Sequence, residues 1–296
     1  MNQGDVSQGF TGDGSSEGGR IVSRDIRHVR TLLFVPGNRP ERFAKAAASG
    51  ADAVVLDLED AVPTAAKQAA REAVRAGWRD LHALGVPIVV RSNAWGGDEW
   101  AADLDCLRSL AGIAALMLPK AESAEAVQGA HDATGGVPVL PLIESASGYD
   151  AVKAMAAAPG CLRLVVGHID FMADTGIACG DDQAELDPLR FAVAIATRLS
   201  GLAPAIDGVT VQIDDEAMLR SDTLRARRFG FGGKLCIHPR QVQGVHAAFA
   251  PSDEERAWAG RVLAAEAAAG GGAVQLDGRM VDLPVVLRAR RLLAQG

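Results

Sequence analysis

Apolar and polar residues succeed one another along this chain in blocks with a regular beat. Six short apolar runs rich in β-branched residues read as strands: TLLFVPG (31–37), ADAVVLDL (51–58), VPIVVR (86–91), IAALMLP (113–119), VPVLPLI (137–143) and CLRLVVG (161–167). Segments of helical composition lie between them: PERFAKAAASG with Pro at its start and Gly at its end, an Ala-rich stretch through 64–84, DEWAADLDCLRSL, AESAEAVQGAHDA and SGYDAVKAMAAAPG. A loop rich in Asp and Gly is expected over 170–188, then a helix in FAVAIATRLSG. APAIDGV gives a seventh strand, EAMLRSDTLRARRFGF a helix, GGKLCIHP an eighth strand and QVQGVHAAFA its closing helix.

Several of these runs end on charge: Glu59 and Asp60, Arg91, Lys120, Glu144 and Asp170. The intervals 59 to 91, 91 to 120, 120 to 144 and 144 to 170 are 32, 29, 24 and 26 residues, each the length of one strand, one helix and two short loops. That spacing predicts a (β/α)8 TIM barrel, in which the C-terminal strand ends open on one face and bring distant charges together. The barrel is expected over 26–250. Residues 251–296 form an additional C-terminal helical extension: a helix over 252–270, a Gly-rich turn, an extended piece and an amphipathic helix from about Leu283 and Pro284. The extension exceeds what a barrel needs and is expected to pack on a neighbouring subunit or to cover the mouth. Residues 1–25, rich in Gly and Ser, read as a flexible leader because they bury too little apolar surface to offset ordering.

Composition narrows the function. With 48% hydrophobic and 23% charged residues, the chain is that of a globular protein with ample core. A net charge of −7 argues against nucleic acid as a partner. The cluster Arg225, Arg227 and Arg228 reads first as a solvated helix face and second as a site for a phosphorylated small molecule. Four cysteines without CxxC pairing suggest buried thiols in a reducing compartment, and no run is long enough to span a membrane. A cytoplasmic location is the expectation.

A hard cation such as Mg²⁺ takes oxygen ligands and is often held by one or two carboxylates plus substrate. Glu144 and Asp170, ending consecutive strands, suit that task. Arg91 offers a guanidinium either to a substrate carboxylate or to a barrel acid such as Glu59 or Asp60. The Glu59-Asp60 doublet suits metal ligation through water, a base, or orientation of Arg91, and Asp57 shares its strand face if the strand continues that far. Lys120, beside acids that raise its pKa, reads as a salt-bridged structural residue rather than a nucleophile. No GxGxxG, GxxxxGK[ST] or GxSxG pattern is present.

The segments RTLLFVPGNRPERFAKAAASGADAVVLDLEDAV, VVRSN, LPK, LIESASG, the Gly-x-x-Asp at 167–170, GFGGKLCIHPRQV and GRMVDLPVV together resemble the HpcH/HpaI aldolase and citrate lyase β-subunit family. The resemblance implies an enzyme that binds Mg²⁺ and cleaves a carbon–carbon bond in a citryl-, malyl- or citramalyl-type CoA thioester, yielding a 2-oxo acid and an acyl thioester. Coenzyme A enters as part of the substrate. By the same resemblance, Glu144 and Asp170 ligate the metal, Arg91 anchors the oxo-acid carboxylate, and Glu59 and Asp60 lie beside them. Asp282 would enter the site of an adjacent subunit as an acid/base group in a homotrimer or larger homo-oligomer, and Arg30 would lie toward the CoA moiety. Where relatives carry Glu before the metal-binding Asp, this chain reads Gly167-His168-Ile169-Asp170. The alternatives are a metal-dependent pyruvate-type aldolase acting on free oxo acids and a non-catalytic CoA-ester-binding or complex-forming subunit.

Overall fold

A computed structural model describes residues 25–269 and 274–293. The expected leader, apart from Asp25, and the Gly-rich turn at 270–272 lie outside the described residues. Eight parallel strands close a barrel in sequence order: β1 (Thr31–Pro36), β2 (Ala53–Asp57), β3 (Ile88–Arg91), β4 (Ala115–Leu118), β5 (Val139–Ile143), β6 (Val165–Val166), β7 (Ile206–Asp207) and β8 (Gly233–Cys236), which returns to β1. The surrounding helices are α1 (Phe43–Ala47), α2 (Lys67–His82), α3 (Trp100–Arg108), α4 (Ala124–Ala133), α5 (Ala146–Asp150), α6 (Val152–Ala157), α7 (His168–Thr175), α8 (Asp187–Leu199), α9 (Glu216–Arg228) and α10 (Pro239–Phe249).

Alternation along each strand divides the core into two shells. Leu32, Ala53, Val55, Val89, Ala115, Met117, Leu140, Leu142, Val165, Ile206 and Leu235 fill the barrel interior. Their neighbours, among them Leu33, Val54, Leu56, Val90, Leu116, Ile143, Val166 and Cys236, pack outward against the helices. The inward face carries on to the strand ends, where Val55 is followed by Asp57, Val89 by Arg91 and Leu142 by Glu144. The same period that builds the apolar interior therefore points these charges into the mouth.

The other end is closed by Arg163, a fully buried guanidinium whose Nε donates to the Pro204 carbonyl and whose Nη1 donates to the carbonyls of Ile26 and Val29. These bonds clamp the chain entering β1 beneath the barrel. Burial lowers the Arg163 pKa to about 9.

Two expectations change. The segment from 170 is not all loop: α7 runs to Thr175, with Gly167 at its N-terminus and Gly176 at φ 73° in the left-handed position that ends it. Phe171, buried beneath it, anchors this helix of about two turns. The rest of the loop is pinned from outside, since Arg190 and Arg225 both donate to the Gln183 side chain. The extended piece in the tail is a hairpin, β9 (Val274–Leu276) and β10 (Arg279–Val281), turned on Asp277 and Gly278, both at positive φ as a two-residue Asp-Gly turn requires. It lies between α11 (Asp253–Ala268) and α12 (Leu283–Leu293). Ala259, Val262, Val281, Val286, Ala289 and Leu292 give this extension its own small apolar cluster.

Candidate active site at the barrel mouth

A cavity of about 230 Å³ opens at the C-terminal strand ends, lined among others by Phe34, Asp57, Asp60, Arg91, Glu144, His168 and Asp170. Register creates its most rigid feature. Asp57 and Arg91 are direct partners across β2 and β3, so both side chains point inward at the same level. Arg91 Nε and Nη2 donate to the two Asp57 carboxylate oxygens at 2.7 and 2.6 Å, a bidentate pair with both partners buried. Its guanidinium carbon lies 4.9 Å from the Phe34 ring centroid, and Nη1 stands 2.9 Å from Glu59 Oε2 and 3.9 Å from Asp60 Oδ2. Burial alone would lower the Arg91 pKa, but Asp57, Glu59 and Asp60 more than offset it and keep the group charged.

Glu59 lies behind this pair, buried, and its carboxyl is raised by that burial against the opposing pull of Arg91. Lys120 Nζ reaches Glu59 Oε1 at 3.0 Å, and this hydrogen bond raises the half-exposed ammonium, which makes Lys120 a salt-bridged cation. Lys120 also adopts φ 47°, a conformation that turns its backbone N–H onto Glu144 Oε1 at 2.6 Å. A buried chain holds the loop after β2: Lys67 Nζ donates to the Leu58 and Glu59 carbonyls and to Asn93 Oδ1, while Asn93 and Arg71 both donate to Asp103. Sequence reasoning did not find this chain. Its members sit on helices and loops where no periodicity distinguishes them from ordinary polar residues.

Glu144 is the most perturbed acid of the mouth. Its Oε2 is buried and accepts no hydrogen bond, and burial, then the charge of Glu59, pushes its pKa up to about 8. Asp170, in the first turn of α7, contributes to the same field. Gly167 permits this crowding, because a Cβ there would stand 2.7 Å from both Glu144 Cβ and Oε2. His168 lies buried alongside with Nδ1 unpartnered against Gly208, and burial lowers it to about 4, so it enters the site as a neutral ring. Asp174 has a structural task, its Oδ2 accepting from the Ala146 N–H and tying α7 to α5.

Among the described residues, no group of three or more His, Cys, Asp or Glu side chains is arranged to hold a metal. A pair of carboxylates, one with a buried oxygen lacking a donor, is nevertheless the donor set that a hard, largely hydrated divalent cation accepts. The structure thus brings Glu144, Asp170, Arg91 and Asp60 to one cavity, with Glu59 behind Arg91. Arg30 is elsewhere: it precedes β1 and lines pockets at the opposite end of the barrel with His28. Asp282 is exposed at the start of α12, where its Oδ1 accepts from the Val285 N–H at 3.3 Å, and it does not line the mouth of its own chain. Among the described residues, no helix is long and apolar enough to cross a membrane.

The family profile of HpcH/HpaI aldolase/citrate lyase matches residues 30–239. A citrate lyase subunit beta-like protein of Deinococcus radiodurans is 37% identical over 278 residues, covering 90% of this chain and 96% of its own. A (3S)-malyl-CoA thioesterase of Cereibacter sphaeroides is 32% identical, covering 93% and 96%. Among solved structures, the protein CitE of Mycobacterium tuberculosis in complex with magnesium, acetoacetate and coenzyme A superposes with a TM-score of 0.81 at 37% identity, over 91% of this chain and 99% of that one. Barrel and sequence agree, and the chain belongs to the HpcH/HpaI aldolase/citrate lyase family.

Proposed function

We propose that this protein is a Mg²⁺-dependent carbon–carbon lyase that cleaves a malyl-, citramalyl- or citryl-type CoA thioester into a 2-oxo acid and an acyl thioester. The observation that carries the reading is one cavity holding Glu144, with its donor-free buried oxygen, Asp170 and the cation Arg91. The CitE structure with magnesium, acetoacetate and coenzyme A supports the reading, since a relative there holds a metal, an oxo acid and coenzyme A together.

Glu144 and Asp170 would hold Mg²⁺, which when bound supplies Lewis-acid polarisation of the oxygen that becomes the oxo-acid carbonyl. Arg91 is the carboxylate anchor. Asp57 occupies its Nε and Nη2 edge and fixes the plane of the guanidinium, so the substrate carboxylate competes with Glu59 and Asp60 for Nη1. Cleavage needs a base for the β-hydroxyl proton. As that proton leaves, the carbonyl forms, the bond to the thioester α-carbon breaks, and its electron pair becomes an enolate that is then protonated. Glu59, buried and raised in pKa, is one proton carrier of this chain. Asp282, supplied by an adjacent subunit, is the other.

The trans contribution requires a homo-oligomer, which we take to be a homotrimer or larger. Supporting it, Met280, Leu283 and Leu287 of the extension are exposed, and so are Phe191, Ile195 and Leu199, a stripe spaced by four along α8. Mixing Asp282→Ala with Arg91→Ala subunits should restore activity that neither variant has alone. No recovery despite demonstrated subunit exchange would remove Asp282 from the site. A second reading, hydrolysis of the thioester, is favoured by the thioesterase among the relatives. Release of free thiol without 2-oxo acid would select it. For the metal, Glu144→Ala should abolish Mg²⁺-dependent turnover, and equal turnover would contradict the assignment.

A further inference from the structure

We infer that a second anion site, built for a compact polyphosphate, lies between α9 and the C-terminal extension, at the end of the barrel opposite Glu144 and Asp170. α9 leads from the mouth to the start of β8, so its last turn lies at the barrel base. There Arg227 and Arg228 meet Arg288 and Arg291 of α12 around a cavity of about 480 Å³, with Glu255 the sole acid and Leu224 and Leu292 its apolar wall.

Among the described residues, five arginines of these elements lack a carboxylate ion pair, Arg220, Arg228, Arg279, Arg288 and Arg291, and three of the five line this cavity. Arg225 has Asp222, Arg256 has Asp253, Arg261 has Asp277 and Arg290 has Glu266. Of the four that line the cavity, Arg227 forms the ion pair with a carboxylate, Glu255 at 2.8 Å, and the same carboxylate also feels the charge of Arg288. Among the described residues, Arg228, Arg288 and Arg291 form no ion pair with a carboxylate, and Arg288 instead lies 5.1 Å from the Trp258 ring centroid. Cations in the last turns of α9 and α12 complement the helix dipoles, and that explains one or two such residues. It does not explain why the unpaired guanidinium groups of two separate helices face one concavity in a chain of net charge −7.

Like charges gathered in a pocket repel until a multivalent anion bridges them. Guanidinium forks match phosphate oxygens in pairs. One phosphate can occupy two of them, whereas linked phosphates reach all three. The site therefore prefers a di- or triphosphate to orthophosphate. The inference is independent of the lyase reading, since no residue of the mouth takes part.

The test is calorimetric titration of the full chain with inorganic triphosphate at low ionic strength in EDTA. Triphosphate should bind about tenfold or more tightly than orthophosphate. An Arg228→Gln/Arg291→Gln double variant, with an unchanged circular dichroism spectrum, should lose about tenfold or more in affinity, while Asp170→Asn keeps it. A nucleoside triphosphate arm separates the two sources: equal affinity means that the phosphate chain alone is read, and tighter binding adds a contact to the nucleoside. Both outcomes support the site. No binding, equal affinity in wild type and double variant, or the same heat from sulfate at matched ionic strength would overturn it.

Discussion

Glu144 and Gly167 carry the tightest residue-level constraint in the mouth. A methyl group at Gly167 would stand 2.7 Å from both Cβ and Oε2 of Glu144, so the Glu144 side chain would have to shift toward the cavity that it lines. Gly167→Ala should therefore displace Glu144, costing about 1–3 kcal/mol in stability and nearly all Mg²⁺-dependent activity. Denaturant melts and a metal titration would check it, and unchanged metal affinity would count against Glu144 as a ligand. Acid–base behaviour gives a second check. A carboxyl raised on folding, as Glu144 is to about 8, gives stability that is complete below its unfolded value and lost as pH climbs through the folded one. Glu59 acts in the same direction. His168, lowered to about 4, has the opposite sign and loses its contribution only as pH falls below the ordinary imidazole range. Buried Lys234, also lowered, opposes Glu144 in the alkaline window, but does so in any variant. Without metal, melting temperature should thus fall more steeply from about pH 7 to about pH 8.5 in the wild type than in Glu144→Gln, and Mg²⁺ should remove the difference. Equal slopes would show that Glu144 does not titrate there.

At the scale of elements, the sequence made the barrel readable because strand and helix periods alternate from Thr31 to Phe249, broken only by the loop that follows the sixth strand. The strand ends were readable for the same reason: charge after an apolar run marks where the buried interior stops. What escaped was set by contacts between elements. Asp57 and Arg91 become a pair only through the β2–β3 register, and pattern alone left Arg91 divided between substrate and barrel acids. The glycines and aspartates of this segment are turn formers and favour a loop by pattern, yet a buried Phe171 and the tie from Asp174 to α5 hold the two turns of α7 in place. Arg30 sits on the barrel base for a plain reason, since a residue before β1 cannot be at the C-terminal ends of the strands. That base is clamped by Arg163, whose loss would leave three carbonyls without their donor. Arg163→Met should destabilise the protein by about 2 kcal/mol or more while leaving turnover per folded molecule unchanged, as measured by denaturant melts and active-site titration. A fall in turnover with stability intact would mean that the base communicates with the mouth.

For the whole molecule, the barrel is a scaffold with work at both ends and an extension joined to its side. The mouth collects a carboxylate pair, an oriented guanidinium and a neutral imidazole, a combination that fits metal-assisted cleavage of an anionic hydroxyacyl thioester. The base collects arginines with no role in that chemistry. The extension has its own small core and leaves Met280 and Leu283 exposed, which suits the homo-oligomer proposed above. The reaction class is decided by the bond that breaks. Incubation of the protein with Mg²⁺ and malyl-, citramalyl- or citryl-CoA, following 2-oxo acid and free thiol in the same reaction, tests it most directly. One of these substrates should give 2-oxo acid and acyl thioester in equal amounts without free thiol, and Glu144→Ala should give no product. Free thiol without 2-oxo acid, or undiminished turnover by Glu144→Ala, would contradict the lyase reading.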